Sequence, residues 1–438
     1  MPLEGKTRPR LAINAQINPQ TPGGVESNLL SLLQMMPGAA SDIDLSILAL
    51  PEYVQDFHDL VDSQATVIGW THGQNILGKL LKGPAKRGQR LRSLLGRNAA
   101  LFDHALRIYR TARYGMRTAV PAASTIDELL TQHDVAAIHF PSPNLFHTAL
   151  PFIYEPWDLQ FLHHPEFFTP EECVRRDRTY REGCRRAALI VTATAWTKND
   201  IVRHYKISPR KIAVIRRASL TASVMLSDDR RKELLTGMGV PEDFIFYPAM
   251  TFEHKNHLRL FRALARLRDR DGIRLTLVMT GRRHEPFWPT IEAELGRLGL
   301  QDQIINLGAV SDETLTALFS SARFMIFPSL FEGLGIPILE AFRHGLPVLA
   351  ARESCIPEVA GKAAVLFDGR DEDAIAAGIR RGWQEPEWLQ SYAAAAPEQL
   401  RKYDWEQAAP TFAACYRQVT RVPLSDDDRA RLSAATGD

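Results

Sequence analysis

Two glutamates eight residues apart, Glu332 and Glu340, frame a short loop in the run FPSLFEGLGIPILEAFRHGLP at 327–347. The apolar residues up to Pro328 read as the end of a strand, and Pro337 sits well as a first helical residue. Between them, Gly333 and Gly335 flank Leu334. Glycines there let the backbone approach a ligand closely, and the free N–H groups of a helix start face an anion. That arrangement suits a diphosphate. Glu332 then stands beside whatever is joined to the phosphate, and Glu340, deeper on the helix, can accept hydrogen bonds from a ribose diol. A solvated loop followed by a first-turn helix acid is the plain alternative.

Other residues at strand ends fit the same chemistry. Lys255 follows the strand 244–249 in the run HKNH, where its ammonium can reach phosphate oxygens as a point charge. Gly281 ends the strand 275–281, leaving bare backbone to meet a nucleotide. Gly308-Ala309-Val310 ends the next strand and offers main-chain groups to a base edge, with Val310 the candidate contact. Open α/β sheets bind ligands outside the carboxyl ends of their strands. In the first half, Gly23 and Gly24 form a glycine turn between the strand 11–17 and a helix from about 25 to 36. That turn is not the G-x-G-x-x-G of a dinucleotide oxidoreductase.

The elements that position these residues alternate in both halves. Short apolar runs at 11–17, 43–50, 65–70, 134–140, 150–154 and 188–193 are separated by helical stretches. A second series runs from 244 to about 380. Such alternation predicts the α/β class: two doubly wound Rossmann-like domains facing across a cleft. The expected division is a first domain over 1–218 and a second over 219–400, with a linker around 219–240. A separate helix is expected over 401–421, and a polar, frayed tail occupies 422–438. Strand order in space is not readable from the pattern.

Composition narrows the class of function. The 438 residues are 45% apolar and 24% charged, a globular balance. The 53 Lys+Arg against 51 Asp+Glu leave a formal charge of +2, so nothing points to nucleic acid as a partner. Cys173, Cys184, Cys355 and Cys415 form no C-x-x-C pair, which fits core filling in a reducing, cytoplasmic setting. No run of 18 apolar residues exists to span a bilayer. The segment 79–117 holds eleven Lys or Arg interleaved with leucines and one acid, Asp103. It reads either as a basic amphipathic surface for anionic lipid, placing the chain peripherally on the cytoplasmic face of the inner membrane, or as solvated helices over the first domain.

Taken together, Lys255-Asn256, the run LGAVSDETLTALFSSARFMIFPS at 307–329, the pair Glu332/Glu340 in FEGLGIPILEA and GLPVLAARESCIPEVAG at 345–361 resemble the retaining nucleotide-sugar glycosyltransferases of the GT-B fold, family 4. The likeness is close over about 244–380. It implies a donor-holding second domain in which Lys255 meets the pyrophosphate, Glu340 the ribose, and Glu332 the donor sugar or reacting centre. The run DLQFLHHPEFF at 158–168 resembles one in mannosyltransferase-like members, which leans the donor toward GDP-mannose or a similar GDP-sugar, with UDP-glucose, UDP-GlcNAc and GDP-fucose also open; a saccharide or lipid-linked saccharide acceptor fits the basic stretch 79–117. Tyr403-Asp404-Trp405 and the helix after it resemble the family's segment that crosses back onto the first domain. Two departures stand out. Trp157 occupies the place where the family often has a histidine near the donor sugar, leaving His139 and Asp158 as candidates for its work. The run Tyr247-Pro248-Ala249-Met250 lacks the arginine many members place upstream of the lysine. No Asp-x-Asp follows an apolar strand, so no metal ligand set is expected on the diphosphate, and metal-independent transfer is the expectation. The rival reading, favoured by the two departures, is an inactive GT-B scaffold that binds a partner transferase.

Overall fold

The computed structural model describes residues 8–19, 24–61, 64–70, 124–218 and 225–437. Gly23, the basic segment 79–117 and the first part of the expected linker lie outside the described residues. Two parallel sheets dominate. The first comprises β1 (Arg10–Ala15), β2 (Asp44–Ala49), β3 (Thr66–Gly69), β4 (Val135–Phe140), β5 (Phe152–Tyr154), β6 (Leu189–Thr192) and β7 (Ile212–Val214), in the order β3-β2-β1-β4-β5-β6-β7. The second comprises β8 (Phe244–Pro248), β9 (Thr276–Thr280), β10 (Ile304–Asn306), β11 (Phe324–Phe327), β12 (Val348–Ala351) and β13 (Val365–Phe367), in the order β10-β9-β8-β11-β12-β13. Both are doubly wound α/β sheets. Their strands are apolar runs with helices on both faces, so most strand side chains are buried, and the edge strands β3, β10 and β13 less so.

Strand order reverses between β1 and β4 in the first sheet, and between β8 and β11 in the second. At such a switch point the connections leave in opposite directions and open a crevice beyond the strand ends. The turn after β8 carries Lys255, and the loop after β11 carries Glu332. The second sheet therefore places the two residues on either side of its own crevice, although they are far apart in the sequence.

The joint between the domains is built twice. Ala218 donates its N–H to the Tyr403 carbonyl at 2.9 Å, and its own carbonyl accepts from the Trp405 indole at 2.7 Å. The outgoing and returning chains are thus tied side by side. The helix Trp405–Thr420 then packs Phe412, Ala413 and Tyr416 into the core of the first domain, against Leu11, Ile13 and Ile153.

Two sequence expectations differ from the structure. Part of the expected linker, Asp228–Gly237, is a helix capped by Ser227, and its Arg230 forms a fork on Glu313 at 2.9 and 3.1 Å. The expected frayed tail contains a helix, Asp426–Thr436, that buries Leu432 and Asp428. A reciprocal Ser425/Asp428 cap starts it, and Arg417 bridges Asp428 at 2.8 Å and Asp42 at 2.8 and 2.9 Å. Local hydrogen bonding and one buried leucine outweigh the polar composition.

Candidate functional site

Lys255 is fixed by its neighbours' main chain. A single 3-10 turn, Glu253–Lys255, ends at Asn256, whose left-handed φ of 64° reverses the chain into the next helix. The buried Asn256 amide donates to the carbonyls of Pro328 at 3.0 Å and Gly369 at 2.7 Å. One side chain thus ties together the loops after β8, β11 and β13. The Tyr247 hydroxyl donates to the Lys255 carbonyl at 2.5 Å, and the Leu330 N–H donates to that of His254 at 2.7 Å.

So held, the Lys255 ammonium meets Glu332 Oε1 at 2.6 Å, with the two side chains 15% and 11% exposed. Desolvated charges of this kind cost more than they return unless every donor and acceptor is used. An ammonium has three donors, and an anion entering the crevice can take the others. The Glu332 main chain is anchored too: its N–H donates to Ser354 Oγ at 2.8 Å, and its carbonyl accepts from Cys355 Sγ at 3.1 Å. Burial pushes the Cys355 thiol well above its usual range, so it serves as a structural donor and not as a nucleophile.

Gly333 is where the domains touch. A Cβ there would lie 2.9 Å from the Trp157 carbonyl oxygen and 3.3 Å from Asp158 Cβ. Its carbonyl faces the hydroxyls of Thr194 at 3.3 Å and Thr197 at 3.5 Å. Thr194 caps the helix Ala195–Tyr205 of the first domain, and the first two N–H groups of that helix donate to the Glu358 carboxylate of the second domain, at 3.0 and 2.9 Å. Arg216 adds a 3.0 Å contact to the same carboxylate. A carboxylate is well placed at a helix N-terminus, where unpaired N–H groups and the helix dipole both favour negative charge.

Asp158 therefore faces Glu332 across the joint. Burial raises its carboxyl from 3.8 to about 6; the Gln160 N–H that it accepts at 3.0 Å opposes this, and the Glu332 charge adds to it. Trp157 holds a left-handed φ of 65°, and its indole N–H donates to the Pro141 carbonyl at 2.9 Å. That N–H is spent on the wall of the first domain, so the residue offers no proton donor in place of a histidine.

The remaining candidates divide. Gly281 has a φ of +111°, and a Cβ on it would lie 2.7 Å from the carbonyl carbon and oxygen of Ala249. It is glycine because the loops after β8 and β9 touch there, and its N–H donates to Gly308 at 2.7 Å. Val310 is partly buried just beyond, and Leu334 likewise in its loop. Gly335, at φ 77°, begins the helix Ile336–Arg343, which carries Glu340 partly buried with Arg343 close by. Gly24 begins the helix Gly24–Ala39 directly after the undescribed Gly23.

His139 is a correction. It is fully buried on β4, held by the Tyr416 hydroxyl at 2.9 Å and by Glu155 at 2.9 Å, and Glu155 in turn pairs with Arg217. Burial alone would raise the Glu155 carboxyl; the Arg217 charge and the His139 hydrogen bond outweigh it and hold the group below its usual range. The returning helix Trp405–Thr420 seals this network, so His139 cannot meet a substrate. His163 pairs through Nε2 with Asp200, and His164 through Nδ1 with Glu166. The sequence reading missed Glu358, Thr194, Thr197 and Arg216. The one available signal was the capping pattern of Thr194 just after a strand.

Residues 236–399 match the family described as glycosyl transferases group 1. The match falls on the second domain. Over part of its length the chain is similar to the O-antigen chain mannosyltransferase B of Escherichia coli, at 27% identity over 253 residues, 57% of this chain and 65% of that protein. It is also similar to the MMP alpha-(1->4)-mannosyltransferase of Mycolicibacterium hassiacum, at 28% identity over 258 residues, 57% of this chain and 60% of that protein. The chain thus spans less than two thirds of the length of these curated relatives. Anabaena HepE, solved with UDP and glucose, superposes with a TM-score of 0.67 at 16% identity, over 93% of this chain and 99% of that one. That likeness shows the GT-B fold. Lys255, Glu332, Gly333, Gly335 and Glu340 all lie inside the matched residues.

Two predictions come from this geometry. Gly333→Ala forces the loop away from the Trp157 carbonyl, so donor-dependent activity should fall at least about tenfold, equivalent to about 1.4 kcal/mol of lost transition-state stabilisation. Thermal stability should change little, because φ at Gly333 is not left-handed; unchanged kinetics would show that the approach is not used. The second concerns pH. The Asp158 carboxyl is charged above 3.8 in an unfolded chain but only above about 6 in the folded one. The contribution of Asp158 to stability should therefore fall as pH rises from about 4 to about 6 and level off above that, so the stability difference between Asp158→Asn and wild type should widen over that range. Asp158→Asn should lack this loss and unfold at higher urea than wild type at pH 7; equal midpoints at pH 7 would contradict the assignment.

Proposed function

We propose that the protein is a retaining hexosyltransferase that moves a hexose, mannose first, from a nucleoside diphosphate sugar to a glycan or lipid-linked glycan during polysaccharide synthesis. The observation that carries this reading is the Lys255–Glu332 ion pair at the switch point of the family-matched domain, with Asp158 of the other domain facing it. GDP-mannose is the favoured donor because mannosyltransferases stand among the relatives and because of the run at 158–168.

In this reading the donor diphosphate displaces Glu332 as the main partner of Lys255. Lys255 and the first N–H groups of the helix Ile336–Arg343 then stabilise the charge that develops on the departing diphosphate. Glu340 accepts from the ribose hydroxyls. The released Glu332 and Asp158 carboxylates flank the sugar and stabilise positive charge at its anomeric carbon. The bond from that carbon to the phosphate oxygen breaks, its electron pair leaving with the diphosphate. The acceptor hydroxyl bonds to the same face, and its proton passes to a phosphate oxygen. No metal is required on the diphosphate, and closure of the joint excludes water. The segment 79–117 would hold the chain to an anionic membrane surface where a lipid-linked acceptor resides. Among the described residues no helix is long and apolar enough to cross a membrane.

One observation favours a second reading. The Trp157 N–H, at the histidine position, is committed to Pro141. An inactive scaffold that binds a partner transferase is compatible with that.

A chelator-treated panel of GDP-mannose, GDP-fucose, UDP-glucose, UDP-GlcNAc and UDP-galactose distinguishes the two. One donor should bind and be slowly hydrolysed without metal; binding of none, or binding without any turnover, would favour the scaffold. With that donor, Glu340→Ala should weaken binding by about 1–3 kcal/mol, because a ribose hydroxyl pair loses its acceptor. Lys255→Ala should cut turnover by about a hundredfold or more, on the scale of removing one charge-stabilising group. Wild-type behaviour of either folded variant would remove that residue from the site.

A further inference from the structure

A second cluster lies in the first domain, beside the joint. Asp200 and His204 occupy one face of the helix Ala195–Tyr205, one turn apart, and His163 ends the short helix Gln160–His163 opposite them. His163 Nε2 is 2.9 Å from both Asp200 oxygens, and His204 Nε2 is 3.3 Å from Oδ1. The three ligand-type atoms all lie within 4.8 Å of one another. Zinc binds imidazole nitrogen and carboxylate oxygen at about 2.0–2.1 Å, which in a tetrahedron separates ligand atoms by roughly 3.4 Å. The observed spacings sit around that value, so small side-chain rotations would admit the ion.

The chemistry and the access also fit. Two imidazoles and one carboxylate suit borderline ions such as Zn²⁺ and disfavour Mg²⁺ or Ca²⁺, which prefer oxygen-rich sets. The Asp200 side chain is only 5% exposed, whereas His163 and His204 are 29% and 33% exposed. The carboxylate forms the floor of the cluster and the imidazoles its open rim, which leaves a fourth position for water.

We propose that His163, Asp200 and His204 bind one Zn²⁺ per chain, and that the ion braces the loop carrying Glu332. The brace follows from the packing around His163. Its ring lies 5.0 Å from that of Phe331 and 5.6 Å from that of Trp196, and Phe331 and Trp196 are 5.3 Å apart. Phe331 immediately precedes Glu332, so a metal that fixes the His163 ring fixes the wall on which this loop closes. The site is separate from the Lys255–Glu332 pair, and the ion has no place on the diphosphate. The proposal stands whether or not the transfer reading holds.

The test uses the full chain, stripped with chelator and titrated with Zn²⁺ against a competing chromogenic chelator. Co²⁺ serves as a spectroscopic probe. Wild type should take up one Zn²⁺, gain thermal stability with it, and give the intense visible bands of four-coordinate Co²⁺. His204→Ala, a partly exposed position that should fold normally, should lose those bands and bind Zn²⁺ at least about tenfold more weakly, since even outer-shell losses cost roughly 10–100-fold. Asp200→Asn should do the same, and the exposed control His147→Ala should bind as wild type. Absence of stoichiometric Zn²⁺ from wild type, or unchanged affinity in His204→Ala, overturns the proposal.

Discussion

The arrangement of this protein depends on a carboxylate from one domain seated on a helix end of the other. Glu358 takes the first two N–H groups of the helix Ala195–Tyr205 together with Arg216, and so satisfies donors that would otherwise be left without partners at a closed joint. With that contact made, Gly333 can come within van der Waals reach of Trp157 and Asp158, where any other residue would collide with a backbone oxygen. The two domains are also tied through Ala218, Tyr403 and Trp405. Glu358 and Gly333 add close contacts between the two faces.

Closure gathers charge that is costly to bury. Lys255, Glu332 and Asp158 bring one positive and two negative groups into a poorly solvated space, and the Asp158 carboxyl rises in response. In the proposed reading, a ligand carrying a diphosphate and a sugar would offset this imbalance, its phosphates taking the donors of Lys255 and its reacting carbon developing the positive charge that the two carboxylates attract. A buried carboxyl held above its usual range beside a crevice, as Asp158 is, is a candidate functional group for this reason. The buried His139–Glu155–Arg217 set is different in kind. It is internally balanced, sealed by the returning helix, and serves to seat that helix on the first sheet.

Much of this was legible in the sequence. Apolar runs of strand length, broken by helical stretches, gave the class and most strands to within two residues. The glycine loop with its two glutamates pointed to the end of β11, where the second sheet has its crevice. What stayed hidden depends on contacts between distant parts of the chain. Periodicity cannot give strand order, so the apposition of the β8 and β11 ends, and with it the Lys255–Glu332 pair, was not foreseeable as a contact. His139 was misplaced because nothing local reveals that Trp405–Thr420 covers β4. β7, Ile212–Val214, is a short apolar run set between Arg210-Lys211 and Arg216-Arg217, and the flanking charges masked it. The helix Asp426–Thr436 was missed because its composition is polar, although the Ser425/Asp428 spacing was a cap in plain view. Glu358 lay in a recognised run, but its partners are more than 140 positions away.

The central claim is that Glu358 on the helix at 195 sets the closure that assembles the site. Hydrogen exchange of wild type and Glu358→Ala, without ligand, tests it most directly. Faster exchange in the variant at 194–205 and at 330–335 together, with the central strands of both sheets unchanged, is the expected result. Exchange altered only around 355–361, with 194–205 and 330–335 as in wild type, would contradict it.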